Sequence, residues 1–403
     1  MTQTKALTTA STVPMRALLA GALGKQSQLL ELAKRLVLAE SPSDDKAAVD
    51  TCIDIAAAYA KSLDSGSQVK VKRHRQRTWG DVLELRFRSK TSRGKAAAPP
   101  ILLLGHLDTV WPLGTLKTMP CRITPDSSGK PRLWGPGTLD MKAGVAMAFT
   151  AIEMLIEAAT LNSEIVLLLN SEEEVGSPVS RPITEKLAAK CSAVYVLEPA
   201  QGLACKTSRK GTGNWRITVQ GLAAHAGVDF TRGRSAILEL ARQIEKVSAW
   251  TDLARGTTIN VGVIGGGTKS NVVPAEAWAE VDLRVAKRAD GPRFEKRFAA
   301  LKPTAKSGCR LTVEGGINRP PMERTRGTIK LFRQAQALAS ELDWRLEEAS
   351  TGGASDGNFT SALGVPTLDG MGAVGEGAHA NHESVLIEDL APRTALLAAM
   401  LAR

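Results

Sequence analysis

The chain has 403 residues, of which 43% are hydrophobic and 23% are charged, and this is the composition of a globular protein with room for two ordinary domains. No apolar run is long enough to cross a membrane, and five scattered cysteines without a Cys-x-x-Cys pair indicate neither a disulfide framework nor a thiolate zinc site. The formal net charge of +11 suits an anionic small substrate better than nucleic acid, because the basic residues are dispersed except over residues 70–77, where they alternate as on an edge strand.

The first part of the chain predicts helices and strands before any functional motif. Residues 1–25 lack strong periodicity and are predicted to be loose. The apolar piece from Ala17 to Leu23 is short and interrupted by Gly21, so a cytoplasmic location is expected, with a periplasmic or secreted one left open. The elements predicted next are helices over 29–37 and 49–63, strands near 69–75 and 82–88, and a polar surface loop over 89–100.

Three apolar runs lead directly into imidazole or acidic side chains. They are residues 101–104, followed by His106 and Asp108; residues 165–169, followed by Glu172, Glu173 and Glu174; and residues 194–197, followed by Glu198. Short continuous apolar runs of this kind are typical of buried strands. Because ligands bind at the carboxyl ends of strands in open α/β sheets, we expect these side chains to meet at one edge of a sheet.

A glycine-rich loop over residues 134–144 supplies a further acid. Gly135, Pro136 and Gly137 predict a tight turn, and Asp140 is expected at the start of a helix with a small-residue face. A carboxylate at that point can cap backbone N–H groups, and it can also bridge two metal ions. The residues of the loop leave both roles open.

The pattern of elements changes after residue 207. A β-α-β-β-α-β order is predicted from strands near 215–219, 258–264, 276–285 and 309–314 and from helices over 234–250 and 292–302. Helix and strand alternation then resumes and ends with a helix over 387–402. We therefore predict an α/β fold in which residues 1–207 and 318–403 form a mixed, mostly parallel sheet flanked by helices, interrupted by an inserted α+β domain over residues 208–317.

The candidate ligands combine nitrogen and oxygen donors. They are His106, Asp108, Asp140, Glu173, Glu174, Glu198 and His379. This mixture suits two zinc ions best, and cobalt or manganese could replace them. Asp108 can accept the second imidazole N–H of His106 and fix its tautomer, while a Glu left outside the ligand set can act as a base on a metal-bound water. The residues therefore predict metal-assisted hydrolysis of an amide bond.

The motifs around these residues resemble those of the di-zinc aminoacylase/carboxypeptidase family of metallopeptidases. The matching stretches, in chain order, are Gly105–Val110, Gly135–Lys142, Glu173–Ser177, Leu197–Pro199 and Gly377–His379. The Gly-Pro-Gly before Asp140 is similar to the glutamate carboxypeptidase branch, whereas deacetylase and desuccinylase relatives more often have Gly-Arg-Gly. The family pattern of His, three residues and Glu selects His379 rather than His382, with Glu383 as the Glu.

The resemblance implies a role for each residue of the cluster. The implied ligand sets are His106, Asp140 and Glu198 for one zinc ion, and Asp140, Glu174 and His379 for the other. Glu173 is implied as the general acid/base and Asp108 as the residue that orients His106. The order of the glutamates is anchored on Gly176 and Ser177, and the peptide between Asp140 and Met141 is expected to be cis.

The resemblance also implies functional residues in the inserted domain. His225 is expected to reach the partner subunit's site and polarise the scissile carbonyl, whereas without the resemblance it would be read as an ordinary loop histidine. Arg319 is expected to bind the terminal carboxylate of the substrate, with Gly353 near the same group. Asn271 and Arg284 match substrate-binding positions.

The function implied is zinc-dependent hydrolysis that releases a C-terminal, glutamate-like amino acid from an N-acyl or peptidyl substrate. The alternative is an N-acyl-amino-acid deacylase similar to acetylornithine deacetylase or desuccinylase. A non-catalytic binding protein on the same fold would require a missing ligand or base, and none is missing from the motifs. The resemblance further implies a homodimer through the inserted domain, which also acts as a lid. Neither a nucleic-acid nor a membrane partner is expected.

Overall fold

The computed structural model describes residues 13–64, 66, 68–88 and 98–402. The chain divides into two compact units. The first unit extends to Thr207 and resumes over Arg324–Ser350 and Ser355–Arg403, and the second comprises Ser208–Glu323 and Thr351–Ala354. The insertion ends at Glu323 rather than at the expected 317, because the last strand of its sheet runs past that position.

The helices follow the apolar periodicity of the sequence. In chain order they are α1 (Met15–Gly24), α2 (Gln26–Leu38), α3 (Lys46–Ser62), α4 (Ala143–Glu157), α5 (Arg181–Ala188), α6 (Ala236–Ser248), α7 (Asp290–Ala299), α8 (Arg326–Ser340), α9 (Gly357–Ala362) and α10 (Leu390–Leu401). Within the described ranges, none combines the length and the apolar character that crossing a bilayer requires.

The strands include several short ones that sequence patterning does not reveal. In chain order they are β1 (Val69–His74), β2 (Val82–Phe87), β3 (Ile101–His106), β4 (Arg122–Pro125), β5 (Pro131–Trp134), β6 (Ile165–Asn170), β7 (Ala193–Val196), β8 (Cys205–Arg209), β9 (Gly211–Gln220), β10 (Thr258–Gly266), β11 (Glu276–Val285), β12 (Arg310–Arg319), β13 (Glu348–Thr351), β14 (Thr367–Leu368), β15 (Gly375–Glu376) and β16 (Ser384–Leu386).

The central sheet of the first unit has the order β1-β2-β6-β3-β7-β14. The pairs β6/β3, β3/β7 and β7/β14 are parallel, and β1/β2 and β2/β6 are antiparallel. This confirms the predicted mixed, mostly parallel sheet. The basic run in β1 lies on the edge strand, as its alternation predicted.

The middle strands are apolar throughout because both faces of the sheet are covered. Side chains of β3 alternate between two cores, so that Leu103 joins the larger cluster formed with α1, α2, α4, α8 and α10, while Leu102 and Leu104 join a smaller cluster with residues of α5. In the parallel register His106 pairs with Asn170, and Leu104 pairs with Val196. The three strands therefore end at the same edge of the sheet.

The amino-terminal prediction is wrong for the residues that the structure describes there. Residues 1–12 lie outside the described part, but Met15–Gly24 is helix α1 rather than loose chain. Met15, Leu18 and Ala22 are buried at helical spacing and join the main core. The short apolar stripe contains alanines and glycines, whose weak hydrophobic signal conceals the period, and packing against the rest of the core stabilises the helix.

The second unit contains the predicted β-α-β-β-α-β order as β9-α6-β10-β11-α7-β12. Its antiparallel sheet has the strand order β10-β11-β9-β12. Helices α6 and α7 cover one face, where Trp215 stacks on Phe298 with ring centroids 4.2 Å apart. The strands alternate in burial, as expected for a sheet with a single covered face.

Candidate metal centre and active site

The cluster of predicted ligands forms entirely within the first unit. His106 is the last residue of β3, Glu173 and Glu174 lie in a turn after β6, and Glu198 follows β7. The ring nitrogen Nε2 of His106 lies 3.7 Å from Oε1 of Glu198. One donor atom from each of His106, Glu173 and Glu198 lies within 4.8 Å of the others. The parallel register of the three strands thus brings these side chains together.

Asp108 is fully buried and orients both His106 and the glutamate turn. Its Oδ1 lies 3.3 Å from Nδ1 of His106, and its backbone carbonyl lies 3.0 Å from the same nitrogen. Its carboxylate also accepts hydrogen bonds from the backbone N–H groups of Glu173 (3.2 Å) and Glu174 (3.1 Å) and from the Ser43 hydroxyl (2.6 Å). An Nδ1–H donor leaves Nε2 of His106 as the free lone pair that a metal ion needs.

Asp140 places one carboxylate oxygen toward each histidine. Its Oδ1 lies 3.3 Å from Nε2 of His106, and its Oδ2 lies 3.4 Å from Nε2 of His379. The Asp140–Met141 peptide is cis, as the resemblance implied. Asp140 lies near the helix start, as expected, in the turn Thr138–Lys142 that leads directly into α4 at Ala143. Its own backbone is not helical, and no side chain caps α4. Among the two roles left open, the geometry therefore favours the bridging one.

The turn after β6 separates its three glutamates. Glu172 is buried and turned away: its carboxylate accepts hydrogen bonds from the backbone N–H groups of Val179 (3.0 Å) and Ser180 (2.6 Å) and from the Ser171 hydroxyl (2.8 Å). Glu174 instead faces His379, with Oε2 3.2 Å from Nε2. Glu173 and Glu174 therefore belong to the cluster, and Glu172 lies outside it.

The acidic and imidazole groups of the cluster shift one another's pKa values. Burial alone would raise the pKa of Asp140, but hydrogen bonds from both imidazoles hold it well below its usual range. Burial, with the charges of Asp140 and Asp108, raises the pKa of Glu174 despite its bond to His379. Burial alone would lower the pKa of His106, but its bonds to Asp108 and Asp140 raise it well above normal. The two imidazoles therefore stabilise the charge of Asp140, whereas burial and neighbouring carboxylates disfavour the charge of Glu174.

The donor set fits divalent cations. One donor atom from each of His106, Asp140 and Glu174 lies within 4.8 Å of the others, beside the group formed by His106, Glu173 and Glu198. An imidazole nitrogen and several carboxylate oxygens that converge within a partly buried cluster are the ligands that zinc and related ions take in hydrolases. The positive charge of such ions would offset the repulsion among these carboxylates.

Cation binding is expected to release protons. Hydrogen bonds to Asp140 and Glu174 raise the pKa of His379 to about 10, so its imidazole is protonated at neutral pH before a cation binds. A cation must displace that proton, and its apparent affinity should therefore rise with pH up to that value, by up to about tenfold per pH unit for each proton displaced. Calorimetric titration with zinc in buffers of different ionisation enthalpy measures the number of protons released.

Two matched histidine variants test whether His379 is the group that releases the proton. His379→Gln should lower the number released by about one, because it removes the titrating imidazole. His382→Gln, three residues along and exposed, should leave the number unchanged. Zinc binding without proton release, and with an affinity independent of pH, would contradict the assignment of His379.

Glu383 is a functional residue whose role only the structure reveals. Its buried carboxylate accepts hydrogen bonds from the backbone N–H groups of Gly137 (2.9 Å), Leu139 (2.8 Å) and Asp140 (3.0 Å) and from Nε1 of Trp111 (2.8 Å). It therefore holds the loop that carries Asp140. In the sequence, Glu383 was marked only by its position four residues after His379. That spacing identified the histidine but did not indicate what Glu383 itself binds.

A second buried acid secures the glutamate turn. Asp356, from the glycine-rich segment before α9, accepts hydrogen bonds from the Ser177 hydroxyl and from the Asn170 side chain, the latter at 2.6 Å. Ser177 ends the turn that carries Glu173 and Glu174. Asp356 thus ties that turn to another segment of the first unit, which the sequence patterns did not indicate.

The remaining predicted residues lie in the second unit. Nδ1 of His225 accepts hydrogen bonds from the backbone N–H groups of Gly227 (3.1 Å) and Val228 (3.2 Å), so a neutral ring carries its proton on Nε2 and can donate from there. The Ala226 N–H donates to the Asn271 carbonyl (2.9 Å), which brings the His225 and Asn271 loops together.

The other three substrate candidates have separate surroundings within that unit. The guanidinium of Arg284 makes two bonds of 2.8 and 2.9 Å to Asp282. Arg319 is buried at the end of β12, and the carbonyl of Gly353 accepts a hydrogen bond from Arg209 (3.3 Å). Arg284 is therefore paired within its own strand, and a substrate would have to compete with Asp282 for it.

Comparisons with known proteins give matches over most of this chain. A family model described as peptidase family M20/M25/M40 matches residues 102–403. Carboxypeptidase G2 of Pseudomonas sp. (strain RS-16) is 28% identical over 308 residues, covering 75% of this chain and 72% of that protein. Succinyl-diaminopimelate desuccinylase of Stenotrophomonas maltophilia (strain R551-3) is 26% identical over 308 residues, covering 73% and 80%.

A solved structure shows the same fold. A dinuclear metal-binding peptidase of the M20 family from Bacillus subtilis superposes with a TM-score of 0.67 at 12% identity, covering 94% of this chain and 98% of that one. The family model spans every predicted ligand, from His106 to His379. The family is metal-dependent, and the chain is a hydrolase of N-acyl or peptide amide bonds. The chain belongs to peptidase family M20/M25/M40.

Proposed function

We propose that this hydrolase uses two zinc ions to release a glutamate-like C-terminal amino acid from an N-acyl or peptidyl substrate. The proposed ligands are His106, Asp140 and Glu198 for one ion, and Asp140, Glu174 and His379 for the other. The observation that carries the proposal is the division of the Asp140 carboxylate, with one oxygen toward His106 and the other toward His379. A bridging ligand between two ions requires that arrangement.

The roles of the protein groups follow from their positions. When bound, the ions would acidify a water and polarise the substrate carbonyl. Glu173, beside His106 and Glu198, would accept the proton of the attacking water and pass it to the leaving amine. Asp108 would keep Nε2 of His106 directed at the metal site.

Residues of the second unit would recognise the substrate. His225 of one protomer would donate its Nε2–H to the scissile carbonyl in the partner's site, and its tautomer in this structure supports that role. Arg319, with Gly353, would bind the terminal carboxylate, because a guanidinium matches the geometry of that group. Asn271 and Arg284 would contact the rest of the amino acid that leaves.

An N-acyl-amino-acid deacylase of the desuccinylase kind is the second candidate. It is supported by the desuccinylase relatives, whose identity of 26% lies close to the 28% of Carboxypeptidase G2. The two candidates differ in which side of the amide is recognised. A carboxypeptidase selects the leaving amino acid, whereas a desuccinylase selects a small anionic acyl group.

Metal removal followed by a substrate panel tests the proposal. Protein stripped with a chelator and verified by metal analysis should lose hydrolysis, and two equivalents of zinc should restore it. The restored enzyme should then show a higher kcat/KM for N-acyl-glutamates and dipeptides ending in glutamate than for N-succinyl-diaminopimelate or N-acetylornithine. Full activity in the stripped protein would refute the metal mechanism, and a preference for succinyl substrates would favour the second candidate.

We also propose a homodimer formed through the second unit. Strand β10 is at the edge of its sheet and exposes Val263 and Ile264, and α6 exposes Ile237 and Leu238. An exposed edge strand beside apolar side chains is typical of an interface. Ile264→Asp should convert a dimer to a monomer in light-scattering mass measurements, while Leu253→Asp should not. A monomeric parent protein would contradict the proposal.

A further inference from the structure

Arg393 is a buried cation within the core of the first unit. It lies on α10, and only 1% of its surface is exposed. Burial lowers the pKa of its guanidinium. A buried charge is costly unless the surrounding groups satisfy its hydrogen bonds, so the partners of Arg393 indicate what the charge is used for.

The guanidinium of Arg393 contacts two chain segments at once. Its Nε and Nη2 donate to the carbonyls of Gly372 and Gly370, and its Nη1 donates to the carbonyl of Leu203 (3.3 Å). A rigid planar fork can hold two carbonyls in a fixed relative position, whereas the ammonium of lysine is a single, rotatable group of donors. Arg393 therefore ties the loop after β14 to the loop after β7.

The loop after β14 pairs with the segment that carries Glu198, a proposed zinc ligand. The backbone N–H of Gly372 donates to the Glu198 carbonyl (3.0 Å), and the N–H of Ala200 donates to the Ala373 carbonyl (2.9 Å). Two hydrogen bonds thus join the two backbones, one at Glu198 itself and one two residues later. The position of Glu198 therefore depends on the loop that Arg393 holds.

Close packing leaves this backbone little room to adjust. A Cβ atom at Gly372 would lie 2.1 Å from the carbonyl oxygen of Leu197 and 2.8 Å from that of Glu198. A Cβ atom at Gly144, in the first turn of α4, would lie 2.4 Å from the same Leu197 oxygen. Both positions therefore require glycine. Because the Leu197 carbonyl is enclosed between α4 and the loop after β14, a shift of that loop would also shift Glu198.

We infer that Arg393 is a positioning residue for Glu198, and that it sets the affinity for the zinc ion that Glu198 is proposed to hold. In this role Arg393 acts through the backbone rather than by contact with an ion or a substrate. The inference rests on the proposed function, because it explains how one ligand of one ion is held in place. Arg393 lies outside all the matching motif stretches, near the end of the chain.

Zinc titration of Arg393 variants tests the inference. Arg393→Met removes the fork and should weaken one of the two zinc-binding steps by about tenfold or more, because groups that support a ligand contribute about 10- to 100-fold to metal affinity. The weakened step should be the one that Glu198→Gln also weakens, and the step that His379→Gln weakens should be unchanged. Arg393→Lys keeps the charge without the fork and should show a smaller loss at the same step.

A neighbouring variant separates positioning from general stability. Thr394, also buried on α10, donates its hydroxyl to the Leu390 carbonyl of the same helix (2.7 Å). Thr394→Val removes that bond and should lower the unfolding temperature, while both zinc affinities stay at the parent value. If Arg393→Met also kept both zinc affinities, or lost both equally, the inference would be overturned.

Hydrogen exchange of the metal-free protein gives a readout that does not depend on zinc. In Arg393→Met the backbone N–H groups of Gly372 and Ala200 should exchange at least about tenfold faster, because the hydrogen bonds between the two segments open more often. In Thr394→Val the same two groups should exchange at the parent rate.

The two measurements distinguish failure of the inference from failure of the proposed function. A parent protein that binds no zinc, or that hydrolyses no substrate, would refute the proposed function, and the exchange rates would still decide whether Arg393 holds the Glu198 segment. Unchanged exchange at Gly372 and Ala200 in Arg393→Met would refute the role of Arg393 alone.

Discussion

Replacement of Glu173 by Gln is expected to lower kcat by about 10²- to 10⁴-fold, which is the usual contribution of a general acid/base. Glu173 lies with His106 and Glu198 in one compact group, but it is not among the proposed ligands. The amide of Gln has nearly the same shape and cannot take up the proton of the attacking water. KM should therefore change little, while kcat measured with an N-acyl-glutamate should fall.

The decisive control for Glu173 is the metal content. Glu173→Gln should still bind two equivalents of zinc, and its thermal unfolding should match that of the parent. Glu31→Gln, which makes the same change at an exposed position of α2, should leave kcat unaltered. If Glu173→Gln kept full kcat, or lost activity only together with a zinc ion, the assignment of Glu173 as a proton-transfer group would be wrong.

Replacement of Asp140 by Asn is expected to weaken binding of both ions and to abolish hydrolysis. One oxygen of Asp140 faces His106 and the other faces His379, so its charge serves both proposed sites. Changes at groups that only support a ligand cost about 10- to 100-fold in metal affinity, and loss of a bridging carboxylate should cost more. Zinc titration with a competing chelator measures both affinities.

Asp44→Asn is the matched control for Asp140, because Asp44 is an exposed aspartate of the same unit. It should retain both zinc affinities and full hydrolysis. The Asp140 variant should lose affinity at two sites together, whereas a residue that serves a single site would weaken only one. Retention of one unaltered zinc affinity in Asp140→Asn would contradict the bridging role.

The strand ends show how much of the site can be predicted from sequence. Apolar runs that terminate in His106, Glu173 or Glu198 indicate buried parallel strands, and the rule that ligands bind at carboxyl ends is enough to expect these groups at one edge. The types of donor then indicate a divalent cation. These features are local, since each depends on a few consecutive residues and on the periodicity of side chains along a strand.

Local patterns were least informative where packing decides the outcome. In helix α1 the stripe of buried residues is short, so its periodic hydrophobic signal is too weak to recognise in the sequence. The helix is stabilised by contacts with distant parts of the core. Strands β4 and β5 pair with β16, which lies far along the chain, so their few residues give little evidence of a sheet by themselves.

The amino-acid sequence by itself determined the fold class, the family motifs and the identity of the proposed ligands, because these depend on residue type, spacing and strand periodicity. Only the tertiary structure decided the roles of Glu172 and Glu383. Both are acids beside the same motifs, yet one binds the backbone after β6 and the other holds the loop of Asp140. The physical reason is that a buried carboxylate takes its role from the donors around it, and those donors come from segments far apart in the chain.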